Sequence, residues 1–435
     1  MVSEHNKAAP DPGPPAGSAV KRTAGRAGWP NYRSPHRRRA DAEAHADAAP
    51  PPAVVAHTLV PEAAVTTAQS QAELGALVDE LRSAQCFGYD TEFIGEDSFY
   101  SRFCVIQVAT REKITLIDVL APGLDLMPFW ELIADPAVEV IVHAGLQDLE
   151  PVQRLTGRPP ASVFDTQIAA AFIGQPYPVS LSNLCLNLLG ADLGKSSKFS
   201  QWDRRPLTET QKFYAANDVR YLLWLREEVG DRLATLGHSE KAAAEFVPFA
   251  DPATYRADPL KMKLKAKGGG KLSRKEQALA NALLRWRARE AEARDLPMRT
   301  LMDDQVLVDL AKHPVESVAD VKAFKGMPWP VKRDYAEALV ALTAEALSGP
   351  LPRRPRGYKP LSETAQARLD EAWRAAVACC EAASISPSMT LTKREMTALV
   401  RAEAAGKPAP DSRMTQGWRK ELLAPVLGGL LGPTE

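Results

Sequence analysis

The chain lacks the cysteine pattern that a disulfide framework or a structural zinc site requires. Five cysteines occur in 435 residues, at Cys86, Cys104, Cys185, Cys379 and Cys380. The count is odd, no C-x-x-C spacing occurs and two of the five are adjacent, so neither cross-linking nor thiolate coordination is expected to organise the fold. Cys86 and Cys104 fall inside strand-like runs and are expected in a core. Long hydrophobic runs are missing as well. No stretch of about 18 apolar residues exists, and the N-terminus shows no signal-peptide core, so no membrane partner is expected and the cytoplasm is the expected location. Charge excess is also absent: 54 basic and 54 acidic residues give a formal net charge of +0, so bulk electrostatics do not announce a nucleic-acid binder. No G-x-x-x-x-G-K-[ST] loop is present, which leaves out a nucleotide-driven helicase.

What the chain does have is a set of carboxylates in distinctive settings. Asp90 and Glu92 lie in CFGYDTEF, Asp148 in HAGLQDLE and Asp218 in YAANDV, with Tyr214 four residues before it. Apolar residues precede the first two sites (Phe87, then Val140, Ile141 and Val142), which reads as buried strands ending in acids. Residues two apart on a strand share a face, so Asp90 and Glu92 can hold one ion together. Residues four apart on a helix also share a face, so Tyr214 and Asp218 look into one cleft. Thr208 and Gln211 fit a capping box that starts this second helix, and Gly145 marks the start of LQDLEPVQRL, placing Asp148 early on its helix.

Taken singly, each motif has an ordinary explanation, such as a surface turn or a solvated helix face. Together and in order, they describe carboxylates that are costly to bury unless cations compensate them. Hard oxygen donors without a Cys/His cluster point to divalent magnesium or manganese.

The segments YDTEF (Tyr89–Phe93), HAGLQDLE (His143–Glu150), FDTQIAA (Phe164–Ala170) and WDRRPLTETQKFYAANDVRYL (Trp202–Leu222) resemble the DEDD superfamily of 3′–5′ exonucleases. The likeness is to the subgroup with a tyrosine in its third motif, and most closely to the ribonuclease D family. That resemblance implies an α/β ribonuclease-H-like exonuclease domain, a mixed sheet flanked by helices, followed by all-α HRDC-type helical domains. It implies that Asp90, Glu92 and Asp218 hold one ion, that Asp90 bridges to a second supported by Asp148, and that Tyr214 orients the attacking water. Two such ions, roughly 3.5–4 Å apart, would clamp the scissile phosphate. The products would be nucleoside 5′-monophosphates released from RNA 3′ ends, tRNA precursors among them. A DNA exonuclease and a non-catalytic RNA-binding protein are the alternatives. His143, Gln147, Lys198, Arg204 and Arg205 are the candidate substrate contacts, the last three in a basic stretch before the Tyr214 helix.

The remaining organisation follows from composition. Residues 1–57 form an Ala/Pro/Arg-rich tail, expected to be disordered, with seven basic and no acidic residues from Lys21 to Arg39. The exonuclease domain spans 58–235 and a connection 236–270. Residues 271–348 carry helical spacing (Leu279, Leu283, Trp286, then Val306, Leu307, Leu310), and Trp286, Asp295, Pro297, Leu307, Leu310 and Gly326 resemble an HRDC domain. Trp286 is expected in its core, and Lys261, Lys263, Lys265, Lys267, Lys271, Arg274 and Lys275 at its entrance are the candidate RNA contacts. After a linker at 349–362, residues 363–435 read as a second, divergent copy, from Trp373, Pro387, Leu391 and GWRKELLAPVLGGLL.

Overall fold

The computed structural model describes residues 52–95, 98–194, 201–256, 258–262, 264–269, 272–352 and 360–431. The basic tail at Lys21–Arg39, Lys195, Lys198, Lys263 and Lys271 lie outside them. These residues form two compact units: Pro259–Pro352 with the short segment 98–100, and the remainder.

The larger unit is built on six strands, β1 (Thr66–Ala68), β2 (Cys86–Ile94), β3 (Arg102–Ala109), β4 (Ile114–Asp118), β5 (Glu139–Val142) and β6 (Val163–Asp165). Their order is β1-β4-β3-β2-β5-β6. Strands β2, β3 and β4 pair antiparallel, while β1 joins β4, β5 joins β2 and β6 joins β5 in parallel. The sheet is therefore mixed. Its inner strands β3, β4 and β5 are mainly apolar because both faces of the sheet are covered.

Alternation along β2 sends Phe87 and Tyr89 to one face and Gly88, Asp90 and Glu92 to the other. The first face packs on α1 (Gln71–Ala84), α2 (Met127–Ile133) and α3 (Leu146–Thr156), through Leu74, Leu81, Phe129, Leu132 and Val152. The second is covered by α6 (Glu209–Arg220) and α7 (Leu222–Leu236), after α4 (Thr166–Ala170) and α5 (Leu181–Leu189). Ala215, Ala216 and Val219 of α6 join Val105, Leu116 and Ile141 in one apolar cluster. The expected capping box starts α6: the Thr208 side chain accepts from the Gln211 amide, and the Gln211 side chain accepts from Thr208 N.

Residues beyond 360 add helices Glu363–Ala382, Pro387–Thr390, Lys393–Ala404, Gly417–Leu422 and Ala424–Leu431 to the same unit. Ile385, Met389 and Trp418 enter the cluster that contains Phe172, and the Trp418 and Phe172 rings meet edge-on at 5.0 Å. Arg419 is 7% exposed and grips Glu245, on helix α8 (Ser239–Phe246), through two bonds of 2.7 and 2.8 Å. In the other unit, Trp286 sits in the core of the helices from Arg274–Arg294 to Ala336–Ser348, edge-on to Tyr335. Arg287 and Asp304 form a buried ion pair there at 2.8 Å. Among the described residues, no helix is long and apolar enough to cross a membrane.

Breaking a buried pair from one side leaves an uncompensated charge. Arg419→Ala should therefore destabilise the larger unit by about 3 kcal/mol, read as a lower denaturation midpoint. An unchanged midpoint would show that apolar contacts alone dock these helices.

Candidate active site

Four carboxylates meet at one end of β2, carried there by three elements. Asp90 and Glu92 come from β2 itself, beside a register shift at Glu92/Phe93 where the pairing with β3 is interrupted. Such bulges re-aim side chains at strand ends. Asp148 comes from the first turn of α3, and Asp218 from α6, with Tyr214 one turn earlier. Asp148 is 8% exposed; Asp90, Glu92, Tyr214 and Asp218 are half-buried.

Small contacts fix each of these positions. Thr91 Oγ1 donates to Asp148 Oδ1, and the Tyr89 hydroxyl donates to the Asp148 backbone oxygen at 2.7 Å. One strand thus presents two of the acids on one face and holds the third from the other. Gly88 lets α6 and α7 approach the sheet: a Cβ there would stand 3.0 Å from Leu222 Cβ and 3.2 Å from the Val219 oxygen, next to Asp218. The turn into α3 is as tight. Ala144 adopts φ 58°, and a Cβ on Gly145 would fall 2.5 Å from Val142 Cβ. The Asp165 carboxylate accepts from Ala144 N at 3.1 Å and Gly145 N at 3.2 Å while capping α4 through Gln167 N and Ile168 N. Asp165, in FDTQIAA, therefore sets where Asp148 stands. Neither Gly88 nor Asp165 was singled out from the sequence, although a glycine inside a strand is itself a signal of close approach.

Electrostatically the cluster is strained. Burial, then the charges of Asp148, Asp218 and Glu92, hold Asp90 well above the usual carboxylate range. Burial and the neighbouring Asp218 and Asp148 push Glu92 to about 8, and burial with Asp148 pushes Asp218 to about 7. Burial raises Asp148 too, against the Thr91 bond. Among the described residues no basic side chain forms an ion pair with any of the four. Among the described residues, no three acid, imidazole or thiol groups stand close enough to chelate one ion in the rotamers they adopt. An all-oxygen, half-buried, unpaired acidic set fits hard divalent ions.

The other candidates separate. Gln147 is exposed, one residue before Asp148. His143 has both ring nitrogens engaged inside the fold, Nε2 with the Val179 oxygen and Nδ1 with Thr166 Oγ1, each at 2.9 Å, and burial lowers its pKa. Arg204 is exposed. Arg205 corrects the sequence reading: its guanidinium makes a bidentate pair with Asp118 at 2.6 and 2.8 Å and donates to the Trp202, Arg204 and Cys104 oxygens. It is a structural clasp rather than a phosphate contact. Burial would raise Asp118, but Arg205 holds it below the usual range. Of the basic entrance to the helical unit, Lys261, Lys265, Lys267 and Lys275 are exposed, while Arg274 donates to the Pro352 and Leu351 oxygens.

Comparison with known proteins agrees with this layout. Residues 65–234 match the family model of 3′–5′ exonucleases, and residues 276–343 match the HRDC domain. Ribonuclease D of Gluconacetobacter diazotrophicus is 33% identical over 359 residues, covering 80% of this chain and 88% of that protein. The chain belongs to the ribonuclease D family. Ribonuclease D of Pseudomonas paraeruginosa is 31% identical over 82% of the chain and 95% of its own length. The crystal structure of Escherichia coli RNase D, described as an exoribonuclease involved in structured RNA processing, superposes with a TM-score of 0.69 at 26% identity. The match covers 85% of this chain and 98% of that one. The expected architecture, an exonuclease α/β domain with a mixed sheet followed by an HRDC region, is the one observed. As a 3′–5′ exonuclease, the chain is a phosphodiester hydrolase.

Ion binding needs these carboxylates charged. With Glu92 near 8 and Asp218 near 7, Mn²⁺ affinity should climb as pH rises from 6 to 8, with protons released on binding. Without ions the sign for stability is opposite: raised folded-state values mean that these groups' contribution is intact below about pH 4 and is lost as pH rises towards 8. Calorimetry of Mn²⁺ binding in buffers of different ionisation enthalpy reads the protons; no release at pH 6.5 contradicts the cluster.

Proposed function

We propose that the chain removes nucleoside 5′-monophosphates from the 3′ ends of structured RNA, tRNA precursors foremost, in the cytoplasm. The observation that carries this reading is the convergence of four carboxylates from β2, α3 and α6, with pKa values raised by burial and, for Asp90, Glu92 and Asp218, by their acidic neighbours, and with no ion pair to a basic residue among the described residues. Asp90, Glu92 and Asp218 would hold one divalent ion, and Asp90 with Asp148 a second, Mg²⁺ or Mn²⁺. When bound, such a pair supplies positive charge for both the attacking and the leaving oxygen.

The protein's own groups would do the rest. Tyr214, on the α6 face that carries Asp218, would hold the attacking water through its hydroxyl. Its work would be orientation, through a hydrogen bond between the phenol and the water. The Thr91 and Tyr89 bonds would keep Asp148 from swinging out of the cleft. Exposed lysines at 261, 265, 267 and 275 of the helical unit would attract the RNA backbone away from the chemistry.

The test is digestion by the full chain of a 3′-extended tRNA precursor, single-stranded RNA and single-stranded DNA with Mg²⁺ or Mn²⁺. Stepwise release of 5′-monophosphates from the RNAs is expected, abolished by chelator and restored by either ion. Asp90→Ala should abolish turnover while RNA binding persists. Faster digestion of the DNA, or full activity in metal-free buffer, overturns the reading. Tyr214→Phe keeps the ring and deletes the hydroxyl, so kcat should fall roughly 10²-fold at unchanged thermal stability; an unchanged kcat would assign the tyrosine to packing.

A further inference from the structure

Gln107 stands at the centre of β3, in register with Asp90 on one side and Leu116 on the other. Directly opposed residues of antiparallel strands project to the same face, with Cβ atoms about 4.5–5.5 Å apart. Gln107 therefore lies on the Asp90 side of the sheet, the side that α6 covers with Ala215, Ala216 and Val219. It is 0% exposed, and among the described residues neither Oε1 nor Nε2 has a hydrogen-bond partner.

A buried amide with nothing to bond destabilises a fold, and a leucine or methionine would fill the same space without that cost. The surrounding cluster is apolar: Val105, Ala109, Ile114 and Leu116 flank the position. The polar group directly opposite is the Asp90 carboxylate, which is without a basic partner among the described residues. A carboxylate oxygen offers more acceptor positions than one coordinate bond uses. A glutamine arm spans the cross-strand gap, and its amide nitrogen has two hydrogens to give.

We propose that Gln107 is the positioning residue for Asp90: its Nε2–H donates to the Asp90 carboxylate once that carboxylate holds a metal ion, fixing the orientation in which it bridges. The inference rests on the two-ion reading above. Buried without a partner, the amide is a preformed donor kept at a cost in stability. Groups that orient metal ligands typically change affinity 10- to 100-fold when removed.

The experiment compares the full chain with Gln107→Leu, Gln107→Met and Asp90→Ala, by Mn²⁺ titration and by thermal unfolding of each ion-free protein. Gln107→Met keeps the arm's length and covers the case in which the leucine variant does not fold. Both Gln107 variants should bind Mn²⁺ at least about 10-fold more weakly, yet melt at the same or a higher temperature than the parent. A packing role cannot give that opposed pair of changes. Unchanged Mn²⁺ affinity overturns the proposal, as does weaker binding accompanied by a lower melting temperature. Asp90→Ala separates the two levels. If it binds Mn²⁺ as the parent does, the two-ion reading itself fails; if it loses binding while the Gln107 variants retain it, only the role of Gln107 is wrong.

Discussion

Mutual repulsion among Asp90, Glu92, Asp148 and Asp218 is the constraint around which the larger unit is arranged. Burial raises the proton affinity of all four acids, which form no ion pair with a basic residue among the described residues, and the charges of their neighbours in the cluster raise Asp90, Glu92 and Asp218 further. A fold tolerates this only where each acid is held in place by other contacts. Asp90 and Glu92 are fixed by the backbone of a central strand, paired on both sides. Asp148 is tied by two hydroxyl groups of that strand, and Asp218 by the packing of α6 on the sheet. The unfavourable electrostatics are thus spread over a rigid frame, as expected of sites whose charges are tuned for a task.

That frame depends on residues that take no part in the acidic cluster. Gly88 sets how near α6 comes to β2, and Gly145 how tightly the chain turns from β5 into α3. Asp165 uses its charge on backbone amides rather than on a metal. The Arg205–Asp118 clasp ties the approach to α6 onto β4, so the helix with Tyr214 and Asp218 is anchored before its first turn.

Much of this could be read in the residues. The i,i+2 pair on β2, the i,i+4 pair on α6, the Thr208 box and the glycine start of α3 are local signals, and local geometry delivers them unchanged. What could not be read depends on long-range pairing. Arg205 looked like a phosphate ligand because its neighbours are basic. Its partner, Asp118, lies 87 positions away and is chosen by the fold. His143 faced the same ambiguity: a histidine at a strand end reads alike whether its ring nitrogens meet RNA or, as here, Thr166 and Val179. Gln107 carries no motif at all; only the register with Asp90 makes its amide conspicuous.

The path of the chain adds one more consequence. The helical unit Pro259–Pro352 is inserted between two stretches that belong to one folded body, since residues beyond 360 pack against the exonuclease sheet and helices through Trp418, Met389 and Arg419. The insert is therefore tethered at both ends to the same body, by two connections instead of one. A protease cutting on either side of it would not divide the molecule into independent pieces. The C-terminal helices would stay attached by their side chains, and the nicked protein would come apart only on denaturation.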